Sequence, residues 1–597
     1  MPAPLKRRPT RRVSLGTVAL GGDEPIRVQS MLTSETTDVP ACLAEIERLD
    51  AAGCEIIRIT APSQKSVEAL GYIREGMRER GIVRPLVADI HFNPALAVAA
   101  CEFVEKVRIN PGNYADRKKF EVREYTDAQY AEELERIEEA LQPLIRNLRR
   151  YGRALRIGTN HGSLSDRVMN RYGDSPEGMV QSAMEFLRIF RRHDYHEMVL
   201  SMKSSNPVVM MEAYRLLVQR MDEEGMDYPL HLGVTEAGFG ADGRIKSAVG
   251  IGGLLADGLG DTIRVSLTEP AENEIPAALQ ILEEVTGSGA LHQTNAEPQQ
   301  SADAERSQTA APGRVFRRSG KDLGRLHKGE LTARHATRSP REITLSGVSV
   351  GGEAPFRLLA LSDYVVPELP PPEEFDALIS SEDPNLKLLP TSVEVSLEDA
   401  SGLLLLDAAH PLSSIRTLHQ DLEQQEVPAP LAVLLPRLQP GELPLGLAAE
   451  LGVLIADGMI QALVCRTAAP QAPELEFARM LLQATRVRLY KADFISCPSC
   501  GRTFFDLQTT TARIKERTGH LKGVKIAVMG CVVNGPGEMA DADFGYVGAG
   551  PGKVHLYRGQ TQVARNIPSE QAVDRLIALL QEHQVWKDPD TTQASGD

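Results

Sequence analysis

Hydrophobic and polar positions along residues 24–287 alternate between two periods. Short β-branched or apolar runs occur at IRVQSM (26–31), EIIRIT (55–60), PLVADIHF (85–92) and KVRIN (106–110). Four more follow at LRIGTN (155–160), EMVLSMK (197–203), LHLGVTE (230–236) and TIRVSL (262–267). Between them lie stretches of helical period, such as ACLAEIERLDAAG, SVEALGYIREGMRER, AQYAEELERIEEALQPLIRNLRR and PEGMVQSAMEFLRIFRR. Eight strand–helix units predict a parallel α/β structure, and their spacing fits a closed (β/α)8 TIM barrel over 1–287. A doubly wound sheet would need a glycine fingerprint after its first strand, and LTSETTD supplies none.

The pattern then changes. Residues 288–322 are polar, small and proline-bearing, which predicts an exposed linker. From 323 to 488 a looser α/β pattern returns. TSVEVSL (391–397), GLLLLD (402–407), PLAVLLP (430–436), VLIADGM (453–459) and QALVC (461–465) read there as buried strands between proline-rich loops. No cluster of catalytic residue types stands out, so this middle segment is expected to be a structural, degenerate barrel-like α/β domain. Residues 489–597 mix strands (GVKIAVMG, KVHLY) with an amphipathic helix, SEQAVDRLIALLQEH (569–583), and predict a small α+β domain. The tail beyond about 587 is expected to fray.

Composition narrows the function. The chain has 597 residues with 42% hydrophobic, 25% charged and 5% aromatic residues and a net charge of −15, which disfavours nucleic acid and anionic membrane as partners. No apolar run approaches a membrane span, and the basic start MPAPLKRRPTRR has no apolar segment behind it. Seven scattered cysteines do not form a secreted disulfide framework, so a reducing cytoplasm is expected.

Against that acidic background the barrel strands carry basic residues where buried strands are ordinarily apolar. Arg58, Arg108, Arg156, Lys203 and Arg264 sit on five strands and are expected at the C-terminal mouth, where this fold builds its sites. Gln29, Asp89, His91, Asn110, Asn160 and Glu236 lie at comparable heights. Any one of the arginines could simply be an ion pair capping the barrel. Five cations with only Asp89 and Glu236 as obvious partners instead suit a highly charged anion such as a diphosphate.

The C-terminal part carries Cys497-Pro-Ser-Cys500 and, after thirty intervening residues, Cys531-Val-Val-Asn-Gly-Pro-Gly-Glu538. The CxxC turn brings two thiolates together, and NGPG would bend the chain so that Glu538 points back to the same centre. A zinc site lacks a second CxxC or a His pair at suitable spacing, and a redox dithiol has no need of Cys531. A 4Fe–4S cluster with three thiolates and one carboxylate uses every group. Spacing alone leaves zinc open. A radical S-adenosylmethionine barrel would need CxxxCxxC inside the barrel, where Cys42, Cys54 and Cys101 stand singly.

FISCPSCGRT with GCVVNGPGE resembles the signature of the 4-hydroxy-3-methylbut-2-enyl diphosphate synthase family (IspG, also called GcpE). The resemblance continues through DADFGYVGAGPGKVHLYRGQ and, in the barrel, VQSM, RINPGN, RIGTNHGSL, SMKSSN, GVTEAG and DTIRVSLT. It covers 10–287 and 488–583, and the middle segment resembles the extra domain of the family's three-domain version. The resemblance implies an oxidoreductase of the non-mevalonate isoprenoid pathway. It would open and dehydrate 2-C-methyl-D-erythritol 2,4-cyclodiphosphate with two electrons from ferredoxin or flavodoxin. It implies Cys497, Cys500, Cys531 and Glu538 as ligands of one 4Fe–4S cluster. Arg58, Arg108, Arg156, Lys203, Arg264 and Ser266, with Asn160, would clamp the diphosphate. Asp89, His91 and Glu236 would address the carbon–oxygen part, with Glu236 delivering a proton. Barrel and cluster domain would have to close on each other, within one chain or across a homodimer. The family's QSMT reads QSML here, with Leu32 in place of the hydroxyl residue and Thr33 beside it. A zinc-binding scaffold on an inert barrel is the alternative of a different class.

Overall fold

A computed structural model describes residues 7–114, 124–287, 340–361, 375–389, 402–408, 412–467, 469, 471–532, 539 and 541–588. Three sheets organise it. The first holds eight parallel strands: β3 (Arg27–Met31), β4 (Ile56–Thr60), β5 (Leu86–Asp89), β6 (Lys106–Ile109), β7 (Ala154–Asn160), β8 (Met198–Lys203), β9 (His231–Leu232) and β10 (Thr262–Ile263). They run in the order β8-β7-β6-β5-β4-β3-β10-β9, and a bridge between Leu200 and Leu230 brings the two ends together into the expected barrel. β9 and β10 are far shorter than LHLGVTE and TIRVSL suggest. The chain leaves strand geometry at the mouth, where Glu236 takes a left-handed φ of 48°.

The strands sort their side chains by alternation. Val28, Ile57, Ile59, Ala88, Val107, Ile157, Leu200 and Ile263 face outward into the core shared with the helices. Those helices include Val39–Ala51, Gln64–Glu79, Asp127–Tyr151 and Pro176–Arg192, as the 3.6-residue period predicts. The inward face starts apolar, with Ile56, Val87, Ala154 and Val199 packed on Val13, Leu15 and Leu20. Those three belong to a hairpin, β1 (Val13–Leu15) and β2 (Val18–Leu20), that stops the bottom of the barrel. Above this plug the lining turns basic.

The second sheet is parallel and six-stranded. Its strands are β13 (Arg357–Leu361), β14 (Ala377–Ile379), β15 (Leu386–Leu388), β16 (Leu403–Asp407), β17 (Leu431–Leu434) and β18 (Ala462–Cys465), in the order β14-β13-β18-β17-β16-β15. GLLLLD, PLAVLLP and QALVC are strands as expected, whereas TSVEVSL lies outside the described residues, as does the 288–322 stretch. VLIADGM corrects the expectation. Its first residues end a helix, Leu445–Ala456, which packs on the barrel segment Ala248–Ala256 and is apolar on nearly every side.

That helix exposes a repeat. LLADG (254–258) and LIADG (454–458) end the two helices that face each other. The strands that follow pair alike: Thr262 lies opposite Arg27 and His231, and Ala462 lies opposite Arg357 and Ala432. A second hairpin, β11 (Ile343–Leu345) and β12 (Val348–Val350), stands where β1 and β2 stand in the barrel. Even a glycine contact recurs. Gly21 (φ 76°) and Gly351 (φ 84°) approach the carbonyls of Arg11 and Arg341 so closely that a Cβ would lie 2.2 and 2.4 Å from those oxygens. Between the two units, Arg215 pairs with both Asp257 (2.9 Å) and Asp457 (2.6 Å), and Arg416 pairs with Asp257 (2.9 Å).

The third sheet contains β19 (Asp493–Ser496), β20 (Lys525–Met529), β21 (Phe544–Gly550), β22 (Lys553–Arg558) and β23 (Thr561–Pro568) in sequential order, the first three parallel and the rest antiparallel. Helices Leu507–Thr518 and Ser569–Glu582 pack on it to give the expected α+β unit. No described helix is long and apolar enough to cross a membrane.

Candidate active site between barrel and cysteine loops

Cys497 and Cys500 leave the end of β19, and Cys531 leaves the end of the neighbouring β20, so two adjacent parallel strands deliver three thiols to one edge. That edge sits on the barrel mouth of the same chain. Ala237 and Ser496 form a β-bridge, and Thr268 Oγ1 lies 3.2 Å from the Cys497 carbonyl, to which it donates. The loop needs Gly501, because a Cβ there would come within 2.7 Å of the Ser34 carbonyl on the barrel rim. Ser499 holds a φ of 67° to complete the turn.

One cavity results. Its barrel side is lined by Met31, Arg58, His91, Arg108, Asn160, Lys203, Thr235, Glu236, Arg264 and Ser266. Its other side is lined by Cys497–Cys500, Arg502, Thr503, Met529, Gly530 and Cys531. The structure thus brings together most of the residues the sequence singles out. Glu538 lies outside the described residues.

Two expected members sit elsewhere. Arg156 is at mid-strand and wholly buried, not at the mouth, and all three of its guanidinium nitrogens lack a hydrogen-bond partner among the described residues. Lys106 Nζ shares that condition on the same inward face, with burial, then Arg156 and Arg58, pushing the amine well below its ordinary value. Asp89 does not line the cavity. It lies behind the wall as a shared acceptor, 2.9 Å from Arg108 Nη1, 2.9 Å from Arg58 Nη2 and 3.3 Å from Arg502 Nη2. Burial alone would raise the Asp89 carboxyl, but Arg58 and Arg108 overcome it and hold it well below the usual carboxylate range.

His91 is neutral. Burial pushes it down to about 3, with Arg502 and Arg108 adding to the effect against the pull of Asp89. Arg108 Nη1 lies 2.7 Å from His91 Nε2 and can only donate, so Nε2 accepts and the proton resides on Nδ1. The 3.2 Å approach of Nε2 to Asp89 is therefore not an ion pair. Nδ1 has no hydrogen-bond partner among the described residues. Arg108 also donates to Gly158 O (2.9 Å) and Asn160 Oδ1 (3.2 Å), and a Cβ at residue 158 would fall 2.5 Å from Arg108 Nε.

The excess of cations is smaller than the sequence suggests. Arg264 is held by Glu274, at 3.1 Å from both Nε and Nη2, and Ser30 donates to the same carboxylate at 2.7 Å. Glu274 opens a helix, Glu274–Thr286, and its only sequence signal is that of an ordinary first-turn acid. Leu32 is buried in the core and the Thr33 hydroxyl donates to Glu45, so neither supplies the hydroxyl that QSML lacks. Lys203 stays in the cavity wall. Burial, followed by Arg156 and Arg58, pushes its amine well below the usual value, which marks a place that favours an anion. Glu236 is 1% exposed and stands close enough to Cys497 for its charge to raise that thiol, whose burial is the larger cause. Among the described residues no three His, Cys, Asp or Glu side chains group as ligands of a single metal ion.

Arg502 was not singled out in the sequence, although it stands two residues after Cys500 inside the motif.

Comparison with known proteins gives a consistent outcome. Residues 10–279 match the family model described as the GcpE TIM-barrel domain, and residues 493–582 match the GcpE protein C-terminal domain. The chain is 46% identical to a 4-hydroxy-3-methylbut-2-en-1-yl diphosphate synthase (flavodoxin) of Akkermansia muciniphila, covering 98% of this chain and 99% of that one. It is 44% identical to the synthase so named from Leptospira interrogans, over 98% of each chain. With the chloroplastic ferredoxin-type synthase of Arabidopsis thaliana it shares 42% identity, over 98% of this chain and 88% of the other.

Proposed function

The chain belongs to the GcpE family, and on that premise we propose that it makes 4-hydroxy-3-methylbut-2-enyl diphosphate from 2-C-methyl-D-erythritol 2,4-cyclodiphosphate. The observation that carries the proposal is one cavity with a basic, phosphate-suited wall on one side and three cysteines on the other. The reaction takes in two electrons, breaks the ring carbon–oxygen bond to phosphate, and releases a substrate hydroxyl as water after protonation. Electrons come from a flavodoxin or ferredoxin, the donors in the relatives' names.

The cysteines fit a 4Fe–4S cluster. They approach from two strand ends as three ligands without a fourth cysteine. Glu538 is the proposed fourth ligand. A cluster bound there supplies single electrons and a Lewis-acidic iron. The zinc-scaffold alternative draws no support from relatives that are all named as synthases.

Arg58, Arg108, Lys203 and Arg264, with Asn160 and Ser266, hold the diphosphate, and Arg156 adds charge from the layer beneath. Asp89 orients Arg58 and Arg108 rather than touching substrate. Neutral His91 donates from Nδ1 to a substrate oxygen, and Glu236, between the cup and Cys497, delivers the proton to the departing hydroxyl. The cysteine loops cover the mouth and keep bulk water from the reacting carbon. The described barrel and cysteine residues meet within one chain, and the proposed compartment is a reducing cytoplasm.

The test is anaerobic purification followed by turnover of the cyclodiphosphate with a reduced one-electron donor. A brown protein with about four irons per chain that forms the linear diphosphate is the expected result. A colourless zinc protein without turnover sinks the proposal.

A further inference from the structure

Among the described residues, Arg502 is the cavity-lining residue of the cysteine domain that reaches into the barrel's charge network. Its side chain is 11% exposed, its Nη2 lies 3.3 Å from Asp89 Oδ2, and it lines the cavity beside Cys500, whose thiolate charge would act on the guanidinium. Asp89 does not need it. Arg108 already takes Oδ1 and Arg58 already takes Oδ2, both at 2.9 Å. A third arginine on one carboxylate leaves the closed interface with more positive charge than Asp89 can balance. Anionic cysteine sulfur on one flank and a phosphate on the other supply what is missing.

We propose that Arg502 is a positioning residue that makes closure of the barrel mouth depend on an anionic cysteine centre and a bound diphosphate, and that eases reduction of that centre. The inference rests on the cluster reading above. A guanidinium beside Cys500 would stabilise each electron added to a cluster held there, so the midpoint potential is higher with Arg502 than without it. The same guanidinium adds repulsion to an empty cup of Arg58, Arg108 and Lys203 and attraction to a filled one. Its link to Asp89 fixes where the Cys500 turn sits when the mouth is shut.

The experiment uses anaerobically prepared holoenzyme and two readouts that do not depend on turnover. One is the cluster midpoint potential, followed by electron paramagnetic resonance. The other is hydrogen-exchange protection of the 496–503 loop, with and without inorganic pyrophosphate as the anion. Arg502→Gln is expected to keep its iron and lower the midpoint by about 59 mV, a tenfold change in the one-electron equilibrium. It should also lose most of the protection that pyrophosphate confers. Arg502→Lys keeps the charge and should recover most of the midpoint. If Arg502→Gln keeps its iron with the wild-type midpoint and protection, the role of Arg502 is overturned. If the Lys variant behaves like Gln in both readouts, a charge-based role is overturned as well. A wild-type chain that holds no iron would instead end the cluster reading.

Discussion

The barrel and the middle sheet are the same arrangement with opposite interiors. In the barrel, the inward positions on β3, β8, β9 and β10 carry Gln29, Ser201, His231 and Thr262, with Arg264 just past the end of β10. The corresponding strands β13, β16, β17 and β18 carry Leu359, Leu405, Ala432, Ala462 and Val464, all buried in one apolar cluster. Helix placement, hairpin plug and strand register are kept on both sides. The backbone plan is therefore compatible with either lining, and what separates the two units is their inward side chains. The basic lining also has a cost, seen in Arg156 and Lys106, whose nitrogens have no hydrogen-bond partner among the described residues.

The most severe way to break this comparison is to make the middle sheet resemble the barrel. Val464→Arg places the counterpart of Arg264 among leucines with no Glu274 to receive it. A loss of about 4 kcal/mol or more is expected in denaturant unfolding of that unit. A near-neutral result would mean that the sheet interior is wetter than its packing indicates.

Asp89→Asn attacks the barrel instead, leaving Arg58 and Arg108 without their buried anion. About 3 kcal/mol should be lost at neutral pH. Because the folded carboxyl is held well below its ordinary value of 3.8, its contribution is present above that pH and lost as pH falls further. The variant's deficit should therefore shrink in acid, and a constant deficit from pH 7 to pH 3 would contradict the hub role.

The seam between the two units is sharpened by Asp457→Asn. Arg215 keeps Asp257, so the loss should be about 2 kcal/mol, with the two units melting less cooperatively in calorimetry. An unchanged single transition would show that apolar contacts alone hold the seam.

The smallest effect concerns the cysteine domain's grip on the barrel. His161 lies 3.7 Å from Asp541, which also accepts from Ser205 at 2.9 Å. Burial opposes protonation of His161, but Asp541 and Asp174 outweigh it and raise its value, while Asp541 is brought down to about 2. The stabilisation from His161 is full below about 6.5 and fades as pH rises through the higher folded value; that from Asp541 is full above about 3.8 and fades toward 2. His161→Asn should cost about 1 kcal/mol at pH 6 and nearly nothing at pH 9, measured by thermal unfolding. Equal losses at both pH values would remove His161 from the interface.

Much of this was legible in the chain. Eight strands, the two long helices Asp127–Tyr151 and Pro176–Arg192, and the cavity-lining cations followed from period and from charge inside apolar runs. The VLIADGM segment misled because a helix buried on most sides loses its polar stripe and reads as a strand-like apolar run. The repeat itself was visible as LLADG and LIADG, had the sequence been compared with itself. Glu274 and Arg502 were hidden for another reason. Their partners, Arg264 and Asp89, are set by long-range closure, and neither acid nor base is unusual where it stands in the sequence.

The hairpin of Val13–Leu15 and Val18–Leu20 has a kinetic consequence. Among the described residues the floor is stopped, and the mouth at the opposite end is covered by the cysteine loops. On the function proposed above, substrate and product would pass that mouth, and the lifetime of its shut state would then set a ceiling on turnover however fast the bond-breaking becomes.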